Sequence, residues 1–376
     1  MTVDPLTFGI SLPNRAVLFG LAPETLLETA CQAEASGAFD SVWVGDNFLS
    51  KPRLEALVTL GAIAGRTRRV KLGTVCLASF PFRHPVELAL QWASLDRLSG
   101  GRTILAVCAG GPASRGPQFA AELKAMGVQS TERVGRMEEG IELLRQFWGQ
   151  ARVTYAGRYY AFEAVDVQPR PLQTRVPIVI AVNPAPEAAG DVVERALRRV
   201  ARLGDGWQTD GTPPEIFRDR WRRIRAYADE YGRADEVRHA SLHLMVNIND
   251  DAATARRESV AFLSHYYGEG AIAEEKLESW LAFGSPRAVV DKVQQFVEAG
   301  CTTPILRFTS PDQRGAARAL RGGRAARLQR AGSTRGRNRP GRPRLKSVPA
   351  RALPWDARNG HAWAPAGRIR HALPDF

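Results

Sequence analysis

Apolar residues in this chain fall into short unbroken runs that alternate with longer stretches in which they recur three and four residues apart. The runs are 8–13, 39–46, 69–77, 102–111, 176–182, 206–209, 241–248 and 303–308. Continuous runs of this length are expected of strands buried on both faces, as in a parallel sheet. The periodic stretches are 23–37, 53–67, 85–100, 132–148, 187–204, 214–232, 251–268 and 285–300, each with one apolar face when wound as a helix. A hairpin is expected over 153–171, turning at Ala156 and Gly157. Eight strand and helix units over about 310 residues predict an α/β fold, a (β/α)8 TIM barrel with insertions. A doubly wound open sheet would need fewer units.

The run "FDSVWVGDNF" at 39–48 stops on Asp46 and Asn47. A carboxylate and an amide at a strand end are often no more than a turn. On a barrel the same position is the C-terminal mouth, where active sites sit, and chemistry becomes the stronger reading. "GTVC" (73–76), "AGG" (109–111), "AVNP" (181–184) and "GDGW" (204–207) fall at the same end. Gly110 and Gly111 lack side chains that would obstruct a flat ring or a phosphate. Asp205 and Trp207 read as turn and packing residues. His84 in "PFRHP" reads equally as a mouth residue or as the structural entry to a helix. His239, His243 and His265 lack metal-ligand spacing and are left without a role.

Composition narrows the class. The chain has 376 residues, 44% of them hydrophobic, enough for one large core. No run of 18 or more apolar residues occurs, and the N-terminus lacks the pattern of a signal peptide, so neither a membrane span nor export is expected. Cys31, Cys76, Cys108 and Cys301 are far apart in sequence, which argues against a disulfide framework or a zinc site. A reducing cytoplasm is the expected compartment.

The net charge of +13 suggests a nucleic-acid partner until it is divided along the chain. Residues 313–376 hold 16 Lys and Arg against two Asp and Glu, which leaves 36 and 37 in the body. The whole excess belongs to an Arg-, Gly- and Pro-rich tail that cannot bury enough apolar surface to order itself. That tail reads as disordered or as the product of an out-of-frame reading; a nucleic-acid-binding arm is the lesser alternative. The domain division is therefore a barrel over 1–312 and a basic tail over 313–376.

Several blocks together resemble the luciferase-like monooxygenase family, nearest to its branch of deazaflavin (F420)-dependent oxidoreductases. They are "FDSVWVGDN", "RVKLGT", "RHPVELALQWASLDRLSGGRTILAVCAGG", "ERVGRMEEGIELLRQFW", "YYAFEAVDVQPRPLQ" and "RALRRVARLGDGW". The resemblance covers about residues 6 to 312, and "LDRLSGGR" with "RLGDGW" is its most specific part. It implies F420, or alternatively FMN, held at the mouth with the ring over the third and fourth strands. Thr74, Val75, Cys76, Ala109, Gly110 and Gly111 would then touch the cofactor. A non-prolyl cis peptide is implied at Thr74–Val75 or Val75–Cys76. The resemblance also implies a helix after the last strand, where this chain runs "QRGAARALRGGRAARL" instead.

Asp46 matches the family's acidic position and Asn47 stands where the deazaflavin branch commonly has His. An amide cannot shuttle a proton as imidazole does. Asp46 with a raised pKa is then the remaining proton donor, and Asn47 holds cofactor or substrate by hydrogen bonds. Gly111 and Pro112 stand where some relatives place an acid or a large aromatic residue. For the phosphate, "NPAPEAAG" enters the helix after the fifth strand, so backbone N–H groups around Asn183 and Ala185 are the candidate donors, fewer because Pro184 and Pro186 have none. The implied function is hydride transfer between F420 and a small organic substrate. The alternatives are a two-component monooxygenase fed with reduced FMN by a reductase partner, and a non-catalytic cofactor-binding barrel. The Trp and Tyr residues at 148, 155, 159 and 160 are assigned to a core and a subunit contact, consistent with a homodimer.

Overall fold

The structure is a computed structural model that describes residues 5–185, 188–268 and 272–309. The basic tail and Pro186 lie outside the described residues. In chain order the first elements are β1 (Gly9–Leu12), α1 (Pro23–Ser36), β2 (Ser41–Val44), α2 (Ala56–Arg66), β3 (Lys71–Thr74), α3 (Pro85–Ser99) and β4 (Thr103–Val107). An insertion carries α4 (Pro117–Ala125), α5 (Arg133–Gly149) and the hairpin β5 (Val153–Ala156) and β6 (Ala161–Val165). Then come β7 (Ile178–Ala181), α6 (Gly190–Leu203), β8 (Gly206–Asp210), α7 (Pro214–Glu230), β9 (His239–Ile248) and α8 (Ala252–Tyr267). α9 (Glu274–Trp280), β10 (Leu281–Gly284), α10 (Pro286–Glu298) and β11 (Thr303–Phe308) complete the described part.

β1, β2, β3, β4, β7, β8, β9 and β11 pair in parallel, and β8–β9, β9–β11 and β11–β1 close them into a barrel. These are the eight apolar runs, and the helices between them cover the outside of the sheet. No helix among the described residues is long and apolar enough to cross a membrane. Two insertions hold more structure than their sequence announced. α4 lies within 112–131, and α9 with β10 lies within 264–284, where β10 extends the sheet beside the far half of β9. β10 has only four residues, too few to show a period.

The barrel interior is filled at its middle by Trp43, which packs with Ala106, Val179 and Ile305. Its neighbours on the flanking strands are glycines for a steric reason. A Cβ on Gly9 would stand 2.5 Å from the Trp43 indole nitrogen, and one on Gly73 2.3 Å from its six-membered ring.

The two most specific sequence blocks prove to be anchors away from the mouth. Asp96, buried in α3, accepts from Thr103 Oγ1 at 2.6 Å and from the backbone N–H groups of Leu172 and Gln173 at 2.8 and 3.0 Å. Asp205, buried before β8, accepts from the Ile178 N–H at 2.8 Å, Arg145 at 2.7 Å and Arg175 at 2.7 Å. It thereby ties α5 to the starts of β7 and β8. Burial alone would raise the Asp205 pKa, but Arg145, the Ile178 N–H and Arg175 outweigh it and hold it below the usual carboxylate range.

Removing one partner of a buried charge network leaves uncompensated charge, so Asp205→Ala is expected to lower stability by about 3–5 kcal/mol. Because the folded pKa is depressed, the contribution is present above the unfolded carboxylate range and lost as pH falls through the folded value. Urea denaturation of wild type and variant across acid and neutral pH checks this: the two stabilities should converge on acidification.

Candidate active site at the barrel mouth

Asp46 leaves the end of β2 and is 3% exposed. Its carboxylate accepts from the Ser79 N–H at 2.7 Å and faces an Arg83 nitrogen at 3.5 Å. That nitrogen is held more closely by Glu55 at 2.6 Å, while Arg83 Nε donates to Ser79 Oγ at 2.8 Å. Burial is the largest influence on Asp46 and raises its pKa against the opposing pull of Arg83 and Ser79.

Asn47 is half-buried and committed at both ends of its amide. Nδ2 donates to Ser50 Oγ at 3.1 Å and Oδ1 accepts from Arg53 at 3.2 Å. The loop that follows is pinned by Glu122 of α4, which accepts from the N–H groups of Phe48, Leu49 and Ser50.

On the third and fourth strands, Gly73 faces Ile104 and Leu77 faces Val107, so the β3 side carries one residue more than the β4 side. This extra residue makes a bulge. The Val75–Cys76 peptide inside it is cis, at the second of the two positions the resemblance allowed. Val75 and Cys76 pack onto the interior cluster. Thr74 is placed differently from what a cofactor contact requires. It is fully buried, and its hydroxyl donates to Ala106 O at 2.7 Å and accepts from Ala106 N at 3.1 Å, which splices the bulge to β4.

Ala109 and Gly110 offer their carbonyls to Arg133, at 2.9 and 2.7 Å. Space beside the two glycines is taken by the chain itself. A Cβ on Gly110, whose φ is +67°, would lie 2.8 Å from Ala78 O, and one on Gly111 2.4 Å from the Phe119 ring.

The loop proposed for phosphate differs from expectation. α6 begins at Gly190, later than 187, with Ala189 as an N-cap that has no side-chain bond and Asp191 in the first turn. Asn183 and Ala185 are exposed and precede the helix, so neither is a helix N-terminal donor. Two alanines before the glycine supply no capping oxygen, and an acid in the first turn already occupies the positive end of the dipole. The Asn183 amide donates to Asp210 and accepts from Thr212 and Arg220, both at 3.0 Å. His84, the N-cap residue of α3, packs edge-on against Tyr160 and Phe162 of the hairpin region.

Opposite the bulge stands a polar group that the sequence reading passed over. Arg307 on β11 is 1% exposed. Its Nη2 donates to Ser11 Oγ at 2.6 Å and Leu12 O at 2.8 Å, while Nε and Nη1 have no hydrogen-bond partner. The guanidinium lies 5.1 Å from the Tyr266 ring centroid, and among the described residues no carboxylate pairs with it. His243 Nε2 and Gln208 Nε2 are likewise buried without partners. Burial first, then Arg307, pushes the His243 pKa down to about 3, so this imidazole is neutral at any physiological pH. Lys276 meets Asp210 at 3.3 Å. Burial, with Arg115 and Arg53, takes Lys51 down to about 8. Arg53 fills the space that Gly45 leaves open at the end of β2. The signal for Arg307 was visible: it is the one charged residue in the strand "TPILRF".

Lys51, Arg53, Arg83, Arg115, Lys276 and Arg307 against Asp46, Glu55, Glu122 and Asp210 leave an excess of positive charge at the mouth, which concentrates anions. A groove of about 540 Å³ between the start of α7, α9 and α10 is separate, and none of these residues lines it. Among the described residues no group of three or more His, Cys, Asp or Glu could hold a metal ion.

Residues 6–303 match the family model described as luciferase-like monooxygenase. An F420-dependent glucose-6-phosphate dehydrogenase of Kineococcus radiotolerans is 29% identical over 339 residues, covering 83% of this chain and 95% of that protein. One from Microbacterium testaceum is 30% identical over 289 residues, 74% of each chain. Among solved structures, an F420-dependent secondary alcohol dehydrogenase in complex with an F420-acetone adduct superposes with a TM-score of 0.68 at 19% identity, covering 85% of this chain and 98% of that one. At that identity it speaks for the fold.

A buried cation without a carboxylate partner destabilises the fold that holds it. Arg307→Met is therefore expected to be more stable than wild type by about 1–4 kcal/mol. Urea denaturation at neutral pH measures this; a loss instead would mean that the bonds to Ser11 and Leu12 outweigh the desolvation.

Proposed function

The chain belongs to the luciferase-like monooxygenase family, and from that premise we propose that it is an F420-dependent oxidoreductase acting on a small organic alcohol or carbonyl. The observation that carries the reading is Asp46, a buried carboxyl whose pKa burial raises, at the mouth of a barrel of this family. The curated relatives support F420 as the cofactor, since both named above are F420-dependent dehydrogenases.

The residues present fit such a group. F420 combines a flat ring with anionic ends, and the mouth combines a bulged strand carrying Val75 and Cys76 with an excess of cationic side chains. Lys51, Arg53 and Arg115 would draw the anionic part, and buried nitrogens of Arg307, His243 and Gln208 have no hydrogen-bond partner within the protein. Asn183 and Thr74 would act at one remove, since their polar atoms are bonded within the protein. When bound, the deazaflavin supplies a carrier of hydride at its C5.

The chain's own part is the proton. Interconverting an alcohol and a carbonyl moves one proton for each hydride. Asp46 gives that proton in its neutral form and takes it back as the carboxylate. Ser79 and Arg83 fix the carboxyl's orientation, and burial sets which form it rests in. Asn47 exchanges no proton and holds Arg53 and Ser50 in place.

Trp fluorescence titrations with F420 and FMN in parallel test the cofactor. F420 is expected to bind and FMN to bind far more weakly. The reverse order would point to the FMN monooxygenase reading, and binding of neither would leave a barrel without a redox role. Glucose 6-phosphate, which the relatives' names specify, and secondary alcohols are the first substrates to assay. With the substrate so found, Asp46→Asn should lower kcat by about 10²- to 10⁴-fold with F420 affinity retained. Unchanged kcat would remove Asp46 from the mechanism.

A further inference from the structure

Three polar side chains, each more than nine-tenths buried and each with an unpartnered nitrogen, stand on three successive strands of the barrel. Gln208 is on β8, His243 on β9 and Arg307 on β11, and β9 pairs with both of the others. All three face inward. Ile305 packs with Trp43 in the interior, and Arg307 lies two residues further along β11, on the same face. His243 is in register with Ile305 on one side and with Asp210 on the other, and Gln208 lies two residues before Asp210. Ser11 and Leu12 accept from Arg307 Nη2 at 2.6 and 2.8 Å, which leaves the N–H on Nε and the two on Nη1 without an acceptor. The other arginines of the mouth are served: Arg53 by Asn47 and the Lys51 carbonyl, Arg83 by Glu55 and Ser79, Arg133 by the carbonyls of Ala109 and Gly110. Arg115 is exposed.

We propose that Arg307, with His243 and Gln208, seats a carboxylate of the substrate, so that the small organic alcohol or carbonyl compound is a hydroxy or oxo acid. This rests on the oxidoreductase reading above and deepens it. Charge selects the class of anion. Lys276 of α9 meets Asp210 at 3.3 Å, and the two balance each other. His243 is neutral, since burial first and then Arg307 push its pKa down to about 3. One guanidinium charge is left over at the seat. A monoanion balances it, whereas a phosphate dianion would leave a buried negative charge of its own. A guanidinium also bonds a carboxylate more strongly than it bonds the neutral acceptors it now has.

The position suits a substrate beside the proton-carrying acid. One strand, β1, separates β11 from β2, so the backbones of those two stand roughly 10 Å apart. A hydroxy acid of a few carbons held at Arg307 spans that gap toward Asp46, which follows the end of β2. The β3 bulge lies across the barrel from β9 and β11, so a ring resting there and a carboxylate at Arg307 occupy different walls. A bound carboxylate also relieves the destabilisation expected of the empty seat.

Isothermal titration calorimetry of the full chain with glycolate, in the absence of cofactor, tests the seat. Glycolate is expected to bind one site per chain, and glycolamide and inorganic phosphate to bind about tenfold more weakly or worse. Arg307→Met should weaken glycolate by about thirtyfold or more. Glycolate should also raise the urea stability of wild type and leave that of Arg307→Met unmoved. Wild-type protein that binds no glycolate would overturn the proposal, and that measurement needs no variant to fold. Phosphate binding more tightly than glycolate would overturn it too, as would equal glycolate affinity in Arg307→Met. A separate arm adds F420: glycolate should still bind when F420 is saturating, and its displacement by F420 would overturn the assignment of the seat to the substrate. Glycolate binding as expected in a chain that fails to bind F420 would sink the oxidoreductase reading and leave the carboxylate seat standing.

Discussion

Trp43 sets the level in this barrel at which packing ends and chemistry can begin. Inward positions recur every second residue along a strand. Around Trp43 they hold Ala106, Val179 and Ile305, with Gly9 and Gly73 leaving room for the indole to fill the interior. Two residues further along the same strands stand Ser11, Gly45, Cys108 and Arg307. One step of the pleat thus separates an apolar floor from a polar chamber. Any side chain at Gly9 or Gly73 would push the indole and disturb the floor on which that chamber rests.

The fold was legible because a strand covered by helices on one side and closed interior on the other is apolar throughout, and such runs need no tertiary information to recognise. The same simplicity hid β10 and α9, whose four and seven residues carry too little periodicity. Within the site, residue type alone does not reveal partners, as Thr74 and Asn183 show. Those two have the right chemistry for a ligand contact, and only coordinates show their hydroxyl and amide already bonded to Ala106, Asp210, Thr212 and Arg220. The helix N-terminus expected near Asn183 failed on a local point: its entry residues are prolines and alanines, which cap nothing.

The words of the sequence that point most specifically to the family describe its foundations. "LDRLSGGR" owes its acid to Asp96, which holds Thr103 and the approach to β7 through Leu172 and Gln173. "RLGDGW" owes its acid to Asp205 and its indole to Trp207, fully buried against Phe217.

Asp46 and Asp205 show how the same side chain is given opposite surroundings. Both are buried, so desolvation raises the pKa of each. Around Asp205 two arginines close to 2.7 Å and a third stands at 3.5 Å, and a backbone N–H completes the shell. The ionised form wins, and the residue serves the fold. Asp46 has one arginine at 3.5 Å whose facing nitrogen is drawn to Glu55 at 2.6 Å. Glu55 thus competes for the cation that would have fixed Asp46 as a carboxylate. An under-compensated acid destabilises a barrel that needs only to be stable, but it can exchange a proton where a fully paired one cannot. Its position on the first turn of chain beyond β2, above the Trp43 floor, is where such an exchange can reach a ligand.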